Sequence, residues 1–171
     1  MDLILFYIAS AVAIAATTMV VTRLNATHAL IYLIVSLLAV AVVFFVLGAP
    51  FAAALEVVVY AGAIMVLFLF VAMMLQVGEA VIPRERTWLL LRTWIVPALL
   101  AFVLFAEVVF VLAQGQRPGT GAAIGPVEVG VALFSRYLLA VELAAILLLA
   151  ALVGAYHLGS TYRIPEGRSG E

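Results

Sequence analysis

Five long apolar runs, separated by short polar or turn-forming stretches, dominate the hydrophobic pattern of this chain. A transmembrane helix needs about 20 predominantly apolar residues to cross a hydrocarbon core ~30 Å thick. Each run is long enough to meet that requirement. The pattern therefore predicts an all-α integral membrane protein with five transmembrane helices. The predicted spans are Leu3–Thr22, Ala29–Leu47, Phe51–Leu75, Trp88–Ala113 and Tyr137–Leu158.

The connections between the runs predict how the helices are arranged. Asn25 or Thr27 is suited to cap the second helix. The stretch Gly48-Ala49-Pro50 is so short that spans two and three must be antiparallel neighbours. Val127–Arg136 is apolar but too short to span, and we interpret it as an interfacial helix leading into the last span. We expect residues 1–158 to form one five-helix transmembrane domain and residues 159–171 a short polar cytoplasmic tail.

The arginines predict the orientation in the membrane. Cytoplasmic loops carry an excess of basic residues. An external N-terminus and a cytoplasmic C-terminus place six of the eight arginines inside. The six are Arg23, Arg84, Arg86, Arg92, Arg163 and Arg168, and the two outside are Arg117 and Arg136.

Composition narrows the functional classes. The chain is 68% hydrophobic and 10% charged, whereas a soluble domain is about 45–50% apolar and ~25% charged. A net charge of −1 with no basic run argues against nucleic-acid binding. The absence of cysteine excludes disulfides, thiolate metal sites and cysteine-ligated iron–sulfur clusters in this chain. No nucleotide-binding fingerprint or nucleophile motif is present, so we expect no covalent catalysis by the chain alone.

The third run carries the most unusual chemistry. Glu56 lies about 9 Å inside the external end of this helix, at 1.5 Å per residue from Pro50. An ionisable group within a membrane is expensive and is a functional candidate by default. Tyr60 lies one turn beyond Glu56, on the same face. The segment Tyr60-Ala61-Gly62-Ala63 follows, and because glycine weakens a helix interior by roughly 1 kcal/mol relative to alanine, this centre is the least rigid part of the helix.

Two further acids are predicted at a similar depth. Glu107 on span four and Glu142 on span five both fall in the external third of the bilayer. With Glu56 they could form a polar patch inside the protein or against a partner. For Glu107 the favoured interpretation is contact with lipid headgroups. For Glu56 and Glu142, proton handling and a static hydrogen bond to a neighbouring helix are about equally supported.

Two histidines lie at the cytoplasmic ends of spans two and five. His28 and His157 at one depth could ligate a b-type haem. An interfacial position at a helix end is the commoner role, and His157 also suits the dipole at a helix C-terminus.

Two motifs bear a family resemblance. Residues 55–68, LEVVVYAGAIMVLF, closely resemble the third transmembrane helix of the J subunits of proton-translocating NADH–quinone oxidoreductase, respiratory complex I. The mitochondrial counterpart is NADH dehydrogenase subunit 6. Residues 133–144, LFSRYLLAVELA, resemble the last helix of the same family. The resemblance covers roughly residues 1–159. It departs after Asn25, where the family usually has proline and a bulky aliphatic residue and this chain has Ala26-Thr27.

The resemblance implies a mechanism centred on the third helix. In the family this helix holds a π-bulge, which carried over would lie around Tyr60–Met65. Rotation between bulged and regular forms would make or break a chain of waters, and so help couple quinone reduction to proton translocation. Glu56, Tyr60 and Glu142 are the implied proton-path or coupling candidates. The implied bulge or gate residues are Tyr60, Ala61, Gly62, Ala63, Ile64, Met65 and Phe68.

The resemblance also implies the molecular setting. The chain would be a non-redox subunit, with no cofactor of its own and no catalytic activity in isolation. FMN, the iron–sulfur clusters and the quinone would be bound by partner subunits. The expected partners are membrane subunits resembling subunits A, H, K and N, within the lipid bilayer of a bacterial inner membrane. The alternatives are a purely structural scaffold in the same complex and a haem-bearing membrane anchor of a dehydrogenase.

Overall fold

A computed structural model of the chain describes residues 2–23, 25–75, 91–113 and 123–161, and every regular element in these ranges is helical. Five helices are long and apolar enough to cross a membrane. The prediction of an all-α protein with five such helices is therefore confirmed. The elements are α1 (Asp2–Thr22), α2 (Ala26–Val46), α3 in three consecutive pieces (Pro50–Leu55, Glu56–Ile64 and Met65–Leu75), α4 (Leu91–Ala113), α5 (Pro126–Ser135) and α6 (Leu138–Thr161).

Helix boundaries differ from the predicted ones by a few residues. The α2 helix begins at Ala26, because the Asn25 side chain accepts a hydrogen bond from the Thr27 backbone N–H at 3.1 Å. Asn25, and not Thr27, is thus the cap. The α6 helix continues to Thr161, so its last turn occupies the start of the predicted tail. The predicted start of span four at Trp88 lies outside the described residues.

The chain divides into two compact units, and α1–α4 belong to the first, Met1–Gly125. Here α2 is central, because it packs against α1, against all three pieces of α3 and against α4. The core joins α1, α2 and α4, and alanines of α1 and α2 that are 0% exposed let the backbones approach closely. The core residues are Val12, Ala16, Val35, Ala39 and Leu104.

The turn between α2 and α3 depends on Gly48. This residue is buried and has φ 86°, in the left-handed region. Its N–H donates to the Phe45 carbonyl at 3.1 Å, and its carbonyl accepts from the Ile124 N–H at 3.0 Å. The predicted tight connection is confirmed, and α2 and α3 pack as neighbours.

The second unit, Pro126–Glu171, contains α5 and α6. The Arg136 and Tyr137 N–H groups both donate to the Ala132 carbonyl at 3.1 Å, which makes the turn between the two helices. The short helix predicted at residues 127–136 is present as α5. No described residue of this unit is buried within the chain, so α6 exposes its apolar side chains on all faces.

Candidate functional site

The middle of α3 is a π-helix of nine residues, Glu56–Ile64. Before it, the Glu56 N–H donates to the carbonyls of Ala52 and Ala53, as in ordinary helical turns. After it, the Met65 N–H donates to the carbonyl of Tyr60, five residues back. The hydrogen-bond register therefore widens by one residue within a membrane-spanning helix. π-helices are rare, are mostly single-turn bulges, and frequently mark functional sites.

The π segment covers more of the chain than the expected Tyr60–Met65. It overlaps that range from Tyr60 to Ile64, but it starts four residues earlier, and Met65 already begins the next α-helical piece. The extra turn contains Val57-Val58-Val59. Branching at Cβ crowds the preceding turn of an α-helix and lowers α propensity. The valine triplet is therefore a sequence signal that this extra turn is a weak α-helix.

Most of the segment's side chains point away from the rest of the chain. Ala61 is the one buried residue of the π-helix. Tyr60 is 51% exposed and Phe68, in the following α-helical piece, is 56% exposed. Glu56, Ile64 and Met65 are half-buried, whereas Gly62 and Ala63 are exposed. Apart from the buried Ala61, the predicted gate residues thus lie on a surface of α3 that is at least partly accessible.

Gly62 sits close to the backbone of its own helix. A Cβ atom built on Gly62 would lie 3.1 Å from the carbonyl oxygen of Val57, five residues earlier. This contact is tighter than an ordinary van der Waals contact, and the neighbour is backbone, which cannot rotate away. A side chain at position 62 therefore presses against the π register itself.

An apolar groove of about 500 Å³ runs beside the start of the π segment. It separates α3 from α4 and is closed on one side by α2. Leu38, Val57 and Phe105 are among its lining residues. Because α3 borders this open space, it lacks the close packing along α4 that would hold it in a single conformation.

Glu56 and Glu142, two of the predicted acids, are at least partly accessible. Glu56 is half-buried at the first position of the π segment, and the described residues provide no hydrogen bond between its carboxylate and the Tyr60 hydroxyl. Glu142 is exposed on α6, in the second unit. Neither Glu56 nor Glu107 lines the groove between their helices. The three-carboxylate patch stays a prediction.

Glu107 requires a correction. The favoured interpretation placed its side chain among lipid headgroups, but the residue is only 6% exposed. Both of its carboxylate oxygens are buried, without a hydrogen-bond partner among the described residues. The headgroup interpretation is therefore wrong, because the helices of the chain itself cover this side chain.

The two histidines lie in different units. The His28 ring meets the Trp94 ring edge-on, with centroids 6.3 Å apart, at the end of the α1–α2–α4 bundle that also holds Arg23. His157 is exposed near the end of α6. Among the described residues, no three histidine, cysteine, aspartate or glutamate side chains cluster as metal ligands. Haem ligation by His28 and His157 stays an alternative prediction.

Comparison with known proteins identifies the family. Residues 16–158 match the family described as NADH-ubiquinone/plastoquinone oxidoreductase chain 6. The chain belongs to this family. NADH-quinone oxidoreductase subunit J of Pseudomonas aeruginosa is 57% identical over 159 residues, covering 90% of this chain and 94% of that protein. Subunit J of Escherichia coli strain K12 is 51% identical over 162 residues, covering 94% and 88%.

More distant relatives have the same name. Subunit J of Buchnera aphidicola subsp. Acyrthosiphon pisum is 41% identical over 164 residues, covering 95% of this chain and 96% of that protein. The resemblance seen in the two sequence motifs is therefore confirmed along nearly the whole chain. In this member of the chain 6 family, the π-helix lies within the third membrane-spanning helix.

Proposed function

We propose that this chain is a membrane-arm subunit of a proton-translocating NADH–quinone oxidoreductase and that α3 couples quinone reduction to proton translocation. The observation that carries the proposal is the nine-residue π-helix at Glu56–Ile64, in the middle of a membrane-spanning helix. The relatives named subunit J support the assignment to the complex. The coupling step consists of conversion between the π-helical and α-helical forms of this segment.

The residues favour two forms of similar free energy. A π-turn holds more residues than an α-turn, and its i to i−5 hydrogen bonds fix more chain for each bond. The valines lower the stability of the α form, while Gly62 permits the close approach that the π form needs. Open space along the groove leaves room for α3 to rotate.

Conversion would turn the rest of α3 about its axis. Because an α-turn holds fewer residues, rewinding nine residues into α-helix adds rotation to everything that follows. The start of α3 is held by the Gly48 turn, so Met65 and Phe68 move relative to Pro50. These apolar side chains would enter or leave a path of waters, and Glu56, Tyr60 and Glu142 are the groups proposed to pass or orient protons along it.

The setting of the chain is part of the proposal. The chain binds no redox cofactor and has no activity alone; FMN, iron–sulfur clusters and quinone are held by other subunits. The neighbours are membrane subunits resembling subunits A, H, K and N. The exposed apolar surface of α6 supports burial against lipid or such neighbours. The N-terminus faces outward across a bacterial inner membrane, with the C-terminus cytoplasmic.

A labelling experiment separates a switching helix from a fixed scaffold. The chain has no cysteine, so single cysteines at Ala54 and Phe68 report on the two sides of the π segment. In the intact complex, we expect the reactivity of Phe68→Cys toward a thiol reagent to differ between resting enzyme and enzyme turning over NADH and quinone. The reactivity of Ala54→Cys should stay the same, because the start of α3 is anchored.

The parent complex without an added cysteine corrects for labelling of other subunits. Leu67→Cys, at a position that is 63% exposed, replaces Phe68→Cys if that variant does not assemble. Identical reactivity at rest and in turnover at both distal positions would show that α3 is a static scaffold.

Glu56→Gln tests whether an ionisable group is needed at the start of the π segment. We expect proton translocation to slow by about tenfold, less than the ~100-fold that a positioned acid–base group commonly contributes, because water can carry part of the transfer. The effect is measured as proton uptake by vesicles, recorded together with NADH oxidation. Glu128→Gln, in the first turn of α5 and outside the predicted spans, is the control. Wild-type pumping by Glu56→Gln would assign Glu56 a structural role only.

A further inference from the structure

Glu107 is a buried acid that the proposed coupling mechanism does not use. It lies on α4 within the span Trp94–Ala113 and is 6% exposed. Neither carboxylate oxygen has a hydrogen-bond partner among the described residues. Buried polar groups in proteins are nearly always paired, so this arrangement calls for a ligand or a change of charge.

The position of Glu107 on α4 shows what its side chain faces. Residues three, four and seven apart share one helix face. Leu100, Val103 and Leu104, which precede Glu107 by these intervals, pack in the core that α4 forms with α1 and α2. Glu107 therefore lies one turn beyond Leu104, between the three helices. Phe105 and Val108 point to the groove on the adjacent face.

Two hydroxyls of the facing helices are already engaged with each other. The Thr17 and Ser36 hydroxyls hydrogen-bond to each other at 2.8 Å, and the Ser36 hydroxyl also donates to the Ala13 carbonyl at 3.3 Å. This pair lies on the cytoplasmic side of the core in the predicted orientation, whereas Glu107 lies on the opposite side of Leu104. No hydroxyl of α1 or α2 within the described residues bonds to Glu107.

The titratable groups of the facing helices lie elsewhere. On α1, Tyr7 is 63% exposed, and the Arg23 guanidinium is 5.4 Å from the ring centroid of Tyr32. On α2, the Tyr32 ring thus contacts Arg23, and the His28 ring contacts the Trp94 ring edge-on. Arg23 is seven residues past Ala16 of the core, about 10 Å along the helix, on the side away from Glu107. The side chain of Asp2 is outside the described part of the chain.

An ionised carboxylate at this position would be both buried and uncompensated. Such a charge is strongly disfavoured in an apolar interior, and the group neutralises instead. Both oxygens are buried within the chain, so its outer surface offers a partner subunit no direct contact with them. We propose that Glu107 is a proton-binding site: a neutral carboxylic acid sealed between α1, α2 and α4, which exchanges its proton only when α4 separates from the other two helices. This site does not depend on whether α3 switches.

Infrared difference spectroscopy on the intact complex tests the proposal. The spectrum of wild type minus Glu107→Gln at neutral and at mildly alkaline pH should show the carbonyl stretch of one protonated carboxylic acid per chain. In D₂O its deuteration shift should develop slowly after mixing. A lost ionised-carboxylate stretch at neutral pH, or deuteration complete on mixing, would overturn the proposal. The control is Glu128→Gln, which replaces an exposed acid on α5 and should remove no slowly deuterating carbonyl stretch.

A second variant covers the case in which Glu107→Gln does not assemble. Replacing a buried neutral acid that has no partner by an apolar side chain of similar size removes a desolvation cost and leaves no charge unpaired. Glu107→Leu should therefore assemble, with a thermal midpoint equal to or above that of wild type. Loss of assembly in Glu107→Leu would show that the carboxylate has an ionic or hydrogen-bonding partner, and would contradict the sealed neutral acid.

Discussion

A Gly62→Val variant is expected to assemble, to oxidise NADH with an artificial electron acceptor at the wild-type rate, and to lose most quinone-linked proton pumping. A Cβ atom at position 62 would lie 3.1 Å from the Val57 carbonyl oxygen in the π form. Valine also carries two methyl groups on its Cβ atom, and the χ1 rotamers of its side chain are restricted. The branched Cβ also crowds an α-helix, but the contact with the Val57 carbonyl oxygen arises in the π register. The substitution therefore shifts α3 toward the α form and blocks conversion.

The size of this effect follows from a population shift. If the two forms are nearly equally populated, lowering one of them to about 1% requires a change of about 2.7 kcal/mol in their free-energy difference. This follows because each tenfold change in an equilibrium constant corresponds to about 1.4 kcal/mol. A bond-angle distortion of about 7° costs about 1 kcal/mol, so strain at a few backbone angles would reach this order. Pumping should be measured as protons translocated per NADH oxidised in reconstituted vesicles, beside NADH oxidation with the artificial acceptor.

The matched control is Gly154→Val on α6. Gly154 is also a glycine inside a membrane-spanning helix, but a Cβ atom there would meet no atom of the chain within 4 Å. Pumping by Gly154→Val should stay near the wild-type value. If Gly62→Val does not assemble, Gly62→Ala imposes the smaller Cβ contact and should give partial loss of pumping. Full pumping by an assembled Gly62 variant would show that the π register at this position does not gate protons.

Substitutions at Gly48 are expected to lower assembly of the complex in the order asparagine, alanine, valine, with valine the most damaging. Gly48 has φ 86°, where an ordinary L-residue costs about 1–2 kcal/mol, and asparagine tolerates this region best. Valine adds the crowding of its branched Cβ, and the site is buried. The turn also holds the Phe45 and Ile124 backbones through hydrogen bonds.

Assembly can be measured as the amount of intact complex recovered from membranes, and stability as its thermal midpoint. Gly130→Val is the control, because Gly130 lies in α5 and a Cβ atom there meets nothing within 4 Å. We expect this control to retain wild-type assembly. Equal behaviour of Gly48→Asn and Gly48→Val would rule out backbone conformation as the reason for glycine at this turn.

Substitutions at Gly48 and at Gly62 should affect different properties of the complex. Gly48 anchors the start of α3, so its variants should reduce the amount of complex without changing the protons pumped per NADH in the complex that remains. Gly62 lies within the converting segment, so its variant should change pumping in assembled complex. Measuring both quantities on both variants separates the anchor from the gate.

Much of the candidate site could be predicted from residues alone. The small residues at Ala61-Gly62-Ala63 and the family motif indicated a weak centre in span three, and the π-helix lies there. Its extension back to Glu56 could not be predicted, because helix propensities are assigned to single residues. A π-type hydrogen bond, in contrast, joins groups five residues apart. The sequence predicted the depth of Glu142 in the membrane but not whether it lies next to the other acids. Spacing along one helix gives depth and does not show which helices pack together.

The five membrane-spanning helices, the turn at Gly48 and the family could all be predicted from the sequence. Length, hydrophobicity and turn chemistry are local properties, and the bilayer requires a helix for each long apolar run. The environment of Glu107 depends instead on how the helices pack against one another. The depth of that residue follows from its position along α4, but α4 is apolar on nearly every side, so no polar stripe in the sequence tells which face meets α1 and α2. The packing of Leu100, Val103 and Leu104 into the core turned Glu107 inward, away from the headgroups and without a hydrogen-bond partner among the described residues.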